Sequence, residues 1–217
     1  MKIVTDALRR TYRRLAARRQ VSEPFPGVAA YWERRYATGG NSGDGSYGSL
    51  AQFKAETVNG FVTRHGVQSV IEFGCGDGHQ LTLAQYPDYV GFDVSPTAVA
   101  ACRQRFRGDP HKSFRVMDEY RSEQADLALS LDVIYHLVEE QVYERYMRTL
   151  FEAARRYVII YSTDSDDNRG SAPHVKHRAF TEWIQRHQPR WTLVEHVPNR
   201  YRESSAEFFA YAARPQA

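Results

Sequence analysis

The chain has 217 residues, 42% of them hydrophobic and 25% charged, with a formal net charge of +3 at pH 7. This is the composition of an ordinary soluble globular domain, long enough to bury a core without covalent staples. Two cysteines, Cys75 and Cys102, form no C-x-x-C and no zinc spacing, and no apolar run reaches the roughly 18 residues of a membrane span; neither a disulfide framework, a structural zinc nor a spanning helix is indicated, and a cytoplasmic setting is expected.

The charge is uneven. Residues 1–20 carry Lys2, Arg9, Arg10, Arg13, Arg14, Arg18 and Arg19 against Asp6 alone, so this arm is +6 and the remainder −3. Leu8, Tyr12 and Leu15 follow helical spacing and predict an amphipathic helix. Such a helix packs its stripe on the main domain or meets an anionic partner, whether a membrane surface, a nucleic acid or a charged glycan. "SEPFPG" (22–27) reads as a linker. "YWERRY" (31–36) and the glycine-rich "ATGGNSGDGSYGS" (37–49) follow. No strand precedes the glycines and no G-K-[ST] follows them, so they are not a P-loop and suit a mobile loop. Apolar residues at Leu50, Phe53, Val58, Phe61 and Val62 predict a helix over 49–65.

From there strands and helices alternate. Strands are expected over 69–73, 88–94, 112–117, 125–131, 156–162, 191–197 and 206–213. Helices are expected from His79, over 95–106 with Ser95 as N-cap and Pro96 in the first turn, over 139–154 and over 177–187. The pattern predicts an α/β fold: a doubly wound, Rossmann-like, seven-stranded and mostly parallel sheet, helices on both faces, with the last two strands as an antiparallel edge hairpin. The chain divides into an extension and lid, 1–48, and a main domain, 49–217.

In such a sheet ligands bind at the carboxyl ends of the strands. The first strand runs there into Gly74-Cys75-Gly76-Asp77-Gly78, a G-x-G-x-G spacing one residue shorter than the dinucleotide fingerprint. Glu72 just before it would repel a pyrophosphate and suits a ligand with positive charge or donors. "IEFGCGDG" resembles motif I of the class I S-adenosylmethionine-dependent methyltransferases. "VGFDVSPTAV", "FRVMDEY" and "DLALSLDVIYHL" resemble the next three motifs, in order, so the resemblance covers about residues 68–162. It implies S-adenosylmethionine as cofactor. Glu72, the 74–78 turn, Asp93 on the ribose with Val94 beside it, Asp118 on the adenine amine, and Leu131 are the implied binding residues. A family habit of closing an N-terminal aromatic-basic segment over the cofactor implies Tyr31 as a contact and Arg35 on its carboxylate, with 37–49 as lid.

The chain lacks the N/D-P-P-Y/F signature of enzymes that methylate nucleic-acid bases, and "SLDVIYHL" looks more like the O- and N-methyltransferases of small molecules and sugars. The expected function is methyl transfer to oxygen or nitrogen of a small-molecule or glycan acceptor. Nucleic-acid methylation, a non-catalytic cofactor-binding regulator and a nucleotide-dependent oxidoreductase are the alternatives. His136 is the candidate base, with Asp132 and Tyr135 flanking it. The loop after the fifth strand offers Asp164, His177 and Arg178 for the acceptor. Its His174-x-x-His177 has no defined geometry, and no metal ligands are assigned.

Overall fold

The computed structural model describes residues 25–214. The basic arm, residues 1–20, with its expected apolar stripe, lies outside the described residues. Strands β1 (Ser69–Phe73), β2 (Asp88–Asp93), β3 (Lys112–Val116), β4 (Ala125–Leu131) and β5 (Ala154–Ser162) pair in parallel. β7 (Glu207–Ala213) runs antiparallel to β5, and β6 (Trp191–Val197) antiparallel to β7. The sheet order is β3-β2-β1-β4-β5-β7-β6. This is the expected doubly wound fold with its edge hairpin.

Side chains alternate across the sheet and sort into two cores. Ile71, Phe73, Val158 and Ile160 join one, with Met147 and Leu150 of α4 (Glu140–Glu152) and Ile184 of α5 (Phe180–His187). Val70, Leu127, Leu129 and Ile159 join the other, with Phe53, Val58 and Phe61 of α2 (Gly48–His65) and Val99 and Cys102 of α3 (Pro96–Arg105). Glu72 shares the parity of Val70, which turns it toward the α2 side. Both edge strands are blunted by charge: Lys112 and Arg115 on β3, and on β6 Glu195, which accepts from Arg64 at 2.8 Å.

The boundaries agree within a few residues except in three places. The helix expected from His79 is a single 3-10 turn, Gln80–Leu83, because Pro87 and β2 follow at once and leave no length for an α-helix. The helix expected from His177 starts at Phe180, since His177 and Arg178 are held in the preceding loop by Asn168 and Asp164. Residues 28–37, which carried no helix expectation, form α1 (Val28–Ala37). Val28 buries in the first core and Trp32, one turn on, packs against it. No helix among the described residues is long and apolar enough to cross a membrane.

Candidate active site

Strand order reverses between β1 and β4, and a cavity of about 100 Å³ opens at their carboxyl ends. Its floor is the glycine turn. Gly74 has φ 88° and Gly76 φ 58°, a region that side chains rarely adopt. A Cβ on Gly74 would meet Val133 Cγ2 at 2.4 Å, and one on Gly76 would meet Ser42 Oγ at 2.3 Å. What comes close to this backbone in the present conformation is therefore the chain itself: Val133 after β4 and Ser42 of the 37–47 loop.

Three carboxylates are set around the turn. Asp93, at the end of β2, accepts from Gly76 N and Ser95 N, both at 2.9 Å. Burial nevertheless pushes its carboxyl up to about 6. Glu72 accepts from Tyr89 Oη at 2.6 Å, and burial pushes it up to about 7. Asp77 ties down the loop: Ser42 N and Tyr47 Oη donate to its Oδ2 at 3.0 and 2.8 Å, while Asp77 N donates to Ser42 Oγ at 3.0 Å. Despite the penalty of burial, His79 N, which donates to Oδ1 at 2.9 Å, together with Tyr47 and Ser42 holds the Asp77 carboxyl below its ordinary value.

α1 lies across this wall. Glu33 accepts from Ser95 Oγ at 2.5 Å, Thr97 Oγ1 at 2.6 Å and Thr97 N at 3.2 Å, at the first turn of α3. Ser95 Oγ in turn accepts from Ala98 N, the N-cap bond that Ser95-Pro96 announces in the sequence.

The opposite wall is the segment after β4. Asp132 sits at φ 60°, and its two oxygens are shared out. Oδ2 takes Lys54 Nζ at 2.5 Å, and Oδ1 takes Tyr135 Oη at 3.0 Å. Lys54 is 1% exposed. The loop closes on the same carboxylate, because a Cβ on Gly45 would lie 2.8 Å from Asp132 Oδ2. His136 follows in a 3-10 turn. Its Nδ1 stands 3.1 Å from His174 O; a carbonyl only accepts, so Nδ1 carries the proton and Nε2 the lone pair. Burial holds the imidazole down to about 4, so it is neutral at neutral pH. Trp32 meets the His136 ring edge-on at 4.9 Å, and Tyr31 stacks on His174 at 4.6 Å.

The structure thus brings together Glu72, Gly74, Cys75, Gly76, Asp77, Asp93, Val94, Leu131, Asp132 and His136 as cavity lining, with Tyr135 held against Asp132. Gly78 lies just beyond, against Cys102 and Phe106. Asp118 is exposed on the turn after β3, where Met117 lines the cavity instead. Arg35 donates from Nε to Asn41 O at 2.7 Å and lies over Trp32, off the lining. Arg178 is committed to Leu137 O and Glu140, and Asp164 accepts from Thr181 at the start of α5. His177 rests near Tyr135, its ring centroid 5.7 Å away, and its Nδ1 is buried without a partner. Among the described residues no group of three His, Cys, Asp or Glu could hold a metal ion.

Lys54, Gln80, Glu33 and Trp32 are site residues that the sequence reading passed over. Lys54 carried a signal: with Ala51, Ala55 and Val58 it falls on one helical stripe, where a lysine is out of place. The donor set suits S-adenosylmethionine. Acids face a ligand bearing a sulfonium and an ammonium, and Gln80 Oε1, in the lining, is a buried acceptor without a partner.

A family model described as a methyltransferase domain matches residues 5–204. No curated protein matches the chain. Among solved structures, the N-methyltransferase NodS from Bradyrhizobium japonicum WM9, in complex with S-adenosyl-L-homocysteine, superposes with a TM-score of 0.66 at 17% identity, over 86% of this chain and 98% of its own. Magnesium protoporphyrin IX methyltransferase from Synechocystis PCC 6803, with the same ligand bound, gives 0.63 at 17% identity, over 89% and 98%. The methyltransferase domain of a bacterial Hen1 gives 0.62 at 17% identity, over 77% and 100%.

Proposed function

The chain belongs to the class I S-adenosylmethionine-dependent methyltransferases, and from that premise we propose that it methylates an oxygen or nitrogen of a small-molecule or glycan acceptor, with His136 as base. The observation that carries this reading is the His136 imidazole. It lines the cavity, is neutral, and is oriented through Nδ1 so that Nε2 is free to take a proton. The cofactor, when bound, supplies an electrophilic methyl and a thioether leaving group. His136 Nε2 would take up the proton that the acceptor O–H or N–H gives up on methylation. Tyr135 and Asp132 fix the polar edge of that site. Trp32, which lines the cavity with His136, supplies a ring surface that suits a sugar or another flat or alicyclic acceptor.

The cavity's volume is below the roughly 300 Å³ at which ligand pockets usually begin. We therefore read 1–48 as extension and lid, with the Ser42–Asp77 and Tyr47–Asp77 bonds parting to admit cofactor and re-forming to exclude water. Neighbours of this fold include an N-methyltransferase and a porphyrin methyltransferase, and the assay panel therefore spans nitrogen and oxygen acceptors.

The test is label transfer from methyl-labelled S-adenosylmethionine to a panel of hydroxylated and aminated small molecules, sugars and glycan intermediates. We expect label on this panel with the wild type and its loss in His136→Gln, with S-adenosylhomocysteine binding retained. Label appearing only on RNA or DNA, with steep salt dependence, would replace the acceptor class. An unchanged rate in His136→Gln would remove the base.

A further inference from the structure

Methyl transfer needs the cofactor's amino-acid end to be held, and the residue suggested by the resemblance for its carboxylate, Arg35, is spent on Asn41 outside the lining. One lysine or arginine does line the cavity among the described residues, and it is Lys54. Its ammonium is buried, 1% exposed, and faces Asp132 Oδ2. It has three N–H donors and gives one to Asp132, so it can serve a second anion without leaving the first.

Gln80 lines the same cavity. Gln80 Nε2 donates to Ala51 O at 3.0 Å, which fixes the amide orientation, since a carbonyl can only accept. Oε1 is then an acceptor, buried in the lining without a partner. Ala51 and Lys54 are one turn apart on α2, so a single helix sets both groups. The charge balance of the walls points the same way. Glu72, Asp77, Asp93 and Asp132 make the lining acidic, and Lys54 is its one lysine or arginine, so the ligand's single carboxylate has Lys54 alone to meet it.

We propose that Lys54 binds the carboxylate of the cofactor's amino-acid end while still holding Asp132, and that Gln80 Oε1 accepts from the ammonium beside that carboxylate. The inference rests on the family's cofactor and on the site read above, but not on the acceptor. Lys54 thereby becomes the joint between the two walls. A cofactor carboxylate draws part of its charge away from Asp132, so the acceptor side registers that the cofactor is in place.

The experiment is a calorimetric cycle between residue and ligand. Three ligands are titrated: S-adenosylhomocysteine, its decarboxylated analogue, and 5′-methylthioadenosine, which lacks the amino-acid end altogether. We expect Lys54→Met to weaken S-adenosylhomocysteine by about tenfold or more, the worth of a charge-assisted contact. The decarboxylated analogue and 5′-methylthioadenosine should stay within about twofold of wild type. Gln80→Leu should weaken the first two ligands and spare the third. An equal loss for S-adenosylhomocysteine and the decarboxylated analogue in Lys54→Met, or no loss for either, overturns the assignment.

Where Lys54→Met alone does not fold, Lys54→Met/Asp132→Asn serves in its place. The wild type is informative by itself: binding the decarboxylated analogue as tightly as S-adenosylhomocysteine also overturns the proposal. Failure of the wild type to bind any of the three ligands would instead remove the cofactor, and this inference with it.

Discussion

The two walls of the cleft are built by different means. The cofactor wall is made of main chain and the groups that fasten it: the glycine turn, Asp93 on two backbone amides, and Ser95 and Glu33 on the first turn of α3. The opposite wall, which we propose meets the acceptor, is made of rings. His136 is steadied by one bond to His174 O and by Trp32, Tyr135 and His174 packed around it, and Tyr31 closes the stack. Backbone fastened by hydrogen bonds gives a fixed receptor for an invariant ligand. Rings in contact can be exchanged without disturbing the sheet, and this is how one fold comes to serve many acceptors.

If the division is real, substitutions on the two walls must fail differently. The largest effect is expected at His136. Removing a positioned base costs about 10²–10⁴-fold in transfer, so His136→Gln should cut turnover by that order while the affinity for S-adenosylhomocysteine hardly moves. Single-turnover rates beside calorimetry would show it, and a comparable loss of affinity would erase the boundary between the walls.

Next comes the joint between them. Lys54→Met leaves the partly buried Asp132 carboxylate with only Tyr135; breaking a fully buried pair from one side costs about 3–5 kcal/mol, and this half-open pair should cost less than that. The double variant Lys54→Met/Asp132→Asn should recover most of that stability in thermal melts. If the single and double variants melt alike, the pair is not the element that holds Asp132.

The same contrast governs what the sequence discloses. Gly74, Gly76, Asp93, Ser95 and Pro96 act through local backbone geometry, and local geometry leaves a spacing that can be read along the chain. Strands β1, β2, β4 and β5 were legible for a related reason, since each carries a short apolar run bounded by turn residues, and β3 through its alternation of polar and apolar residues. α1 was not, although Val28, Trp32 and Tyr36 keep helical spacing, because the linker before it and the glycines after it drew the whole region toward loop. Lys54 depends on a partner 78 positions away. No spacing encodes that contact; only its place on the buried stripe of α2 hinted at it. Asp118 shows the reverse case. The motif order places it at a strand end, but the 3-10 turn there leaves its side chain exposed.

A further contrast is electrostatic and smaller. Glu72 has a folded-state value near 7 against an ordinary value of 4.5, and Asp93 about 6 against 3.8, each raised by burial. A carboxyl raised in the fold contributes its stability below the unfolded value and loses it as pH rises through the folded one. The ligand-free protein should therefore lose stability between about pH 4 and 7, by up to about 3 kcal/mol from Glu72 alone. Carboxylates lowered in the fold, such as Asp77 and Asp126, act in the opposite direction but below this window. Glu72→Gln should flatten the slope in melts across pH. S-adenosylmethionine, which brings a sulfonium as well as an ammonium, should flatten it more than S-adenosylhomocysteine. A slope unaffected by either would mean that Glu72 is not buried as an acid against the ligand.

The smallest expected effect is at Glu33, and it tests whether α1 belongs to the cofactor wall or merely covers it. Its carboxylate takes three donors from Ser95 and Thr97, which holds it below its ordinary value. Those donors flank Asp93, and Asp93 in turn fixes Ser95 N and Gly76 N. Glu33→Gln keeps the volume but surrenders the charge at a helix N-terminus, and Glu33→Ala surrenders both. If α1 is part of the wall, both should weaken S-adenosylhomocysteine by a factor of about two to ten, in the order Ala more than Gln, as loss of a capping contact does. Turnover at saturating cofactor should be untouched, because His136 answers to Trp32 one residue away and not to Glu33. Should turnover fall while affinity holds, Glu33 would act on the wall around His136, by way of Trp32 beside it.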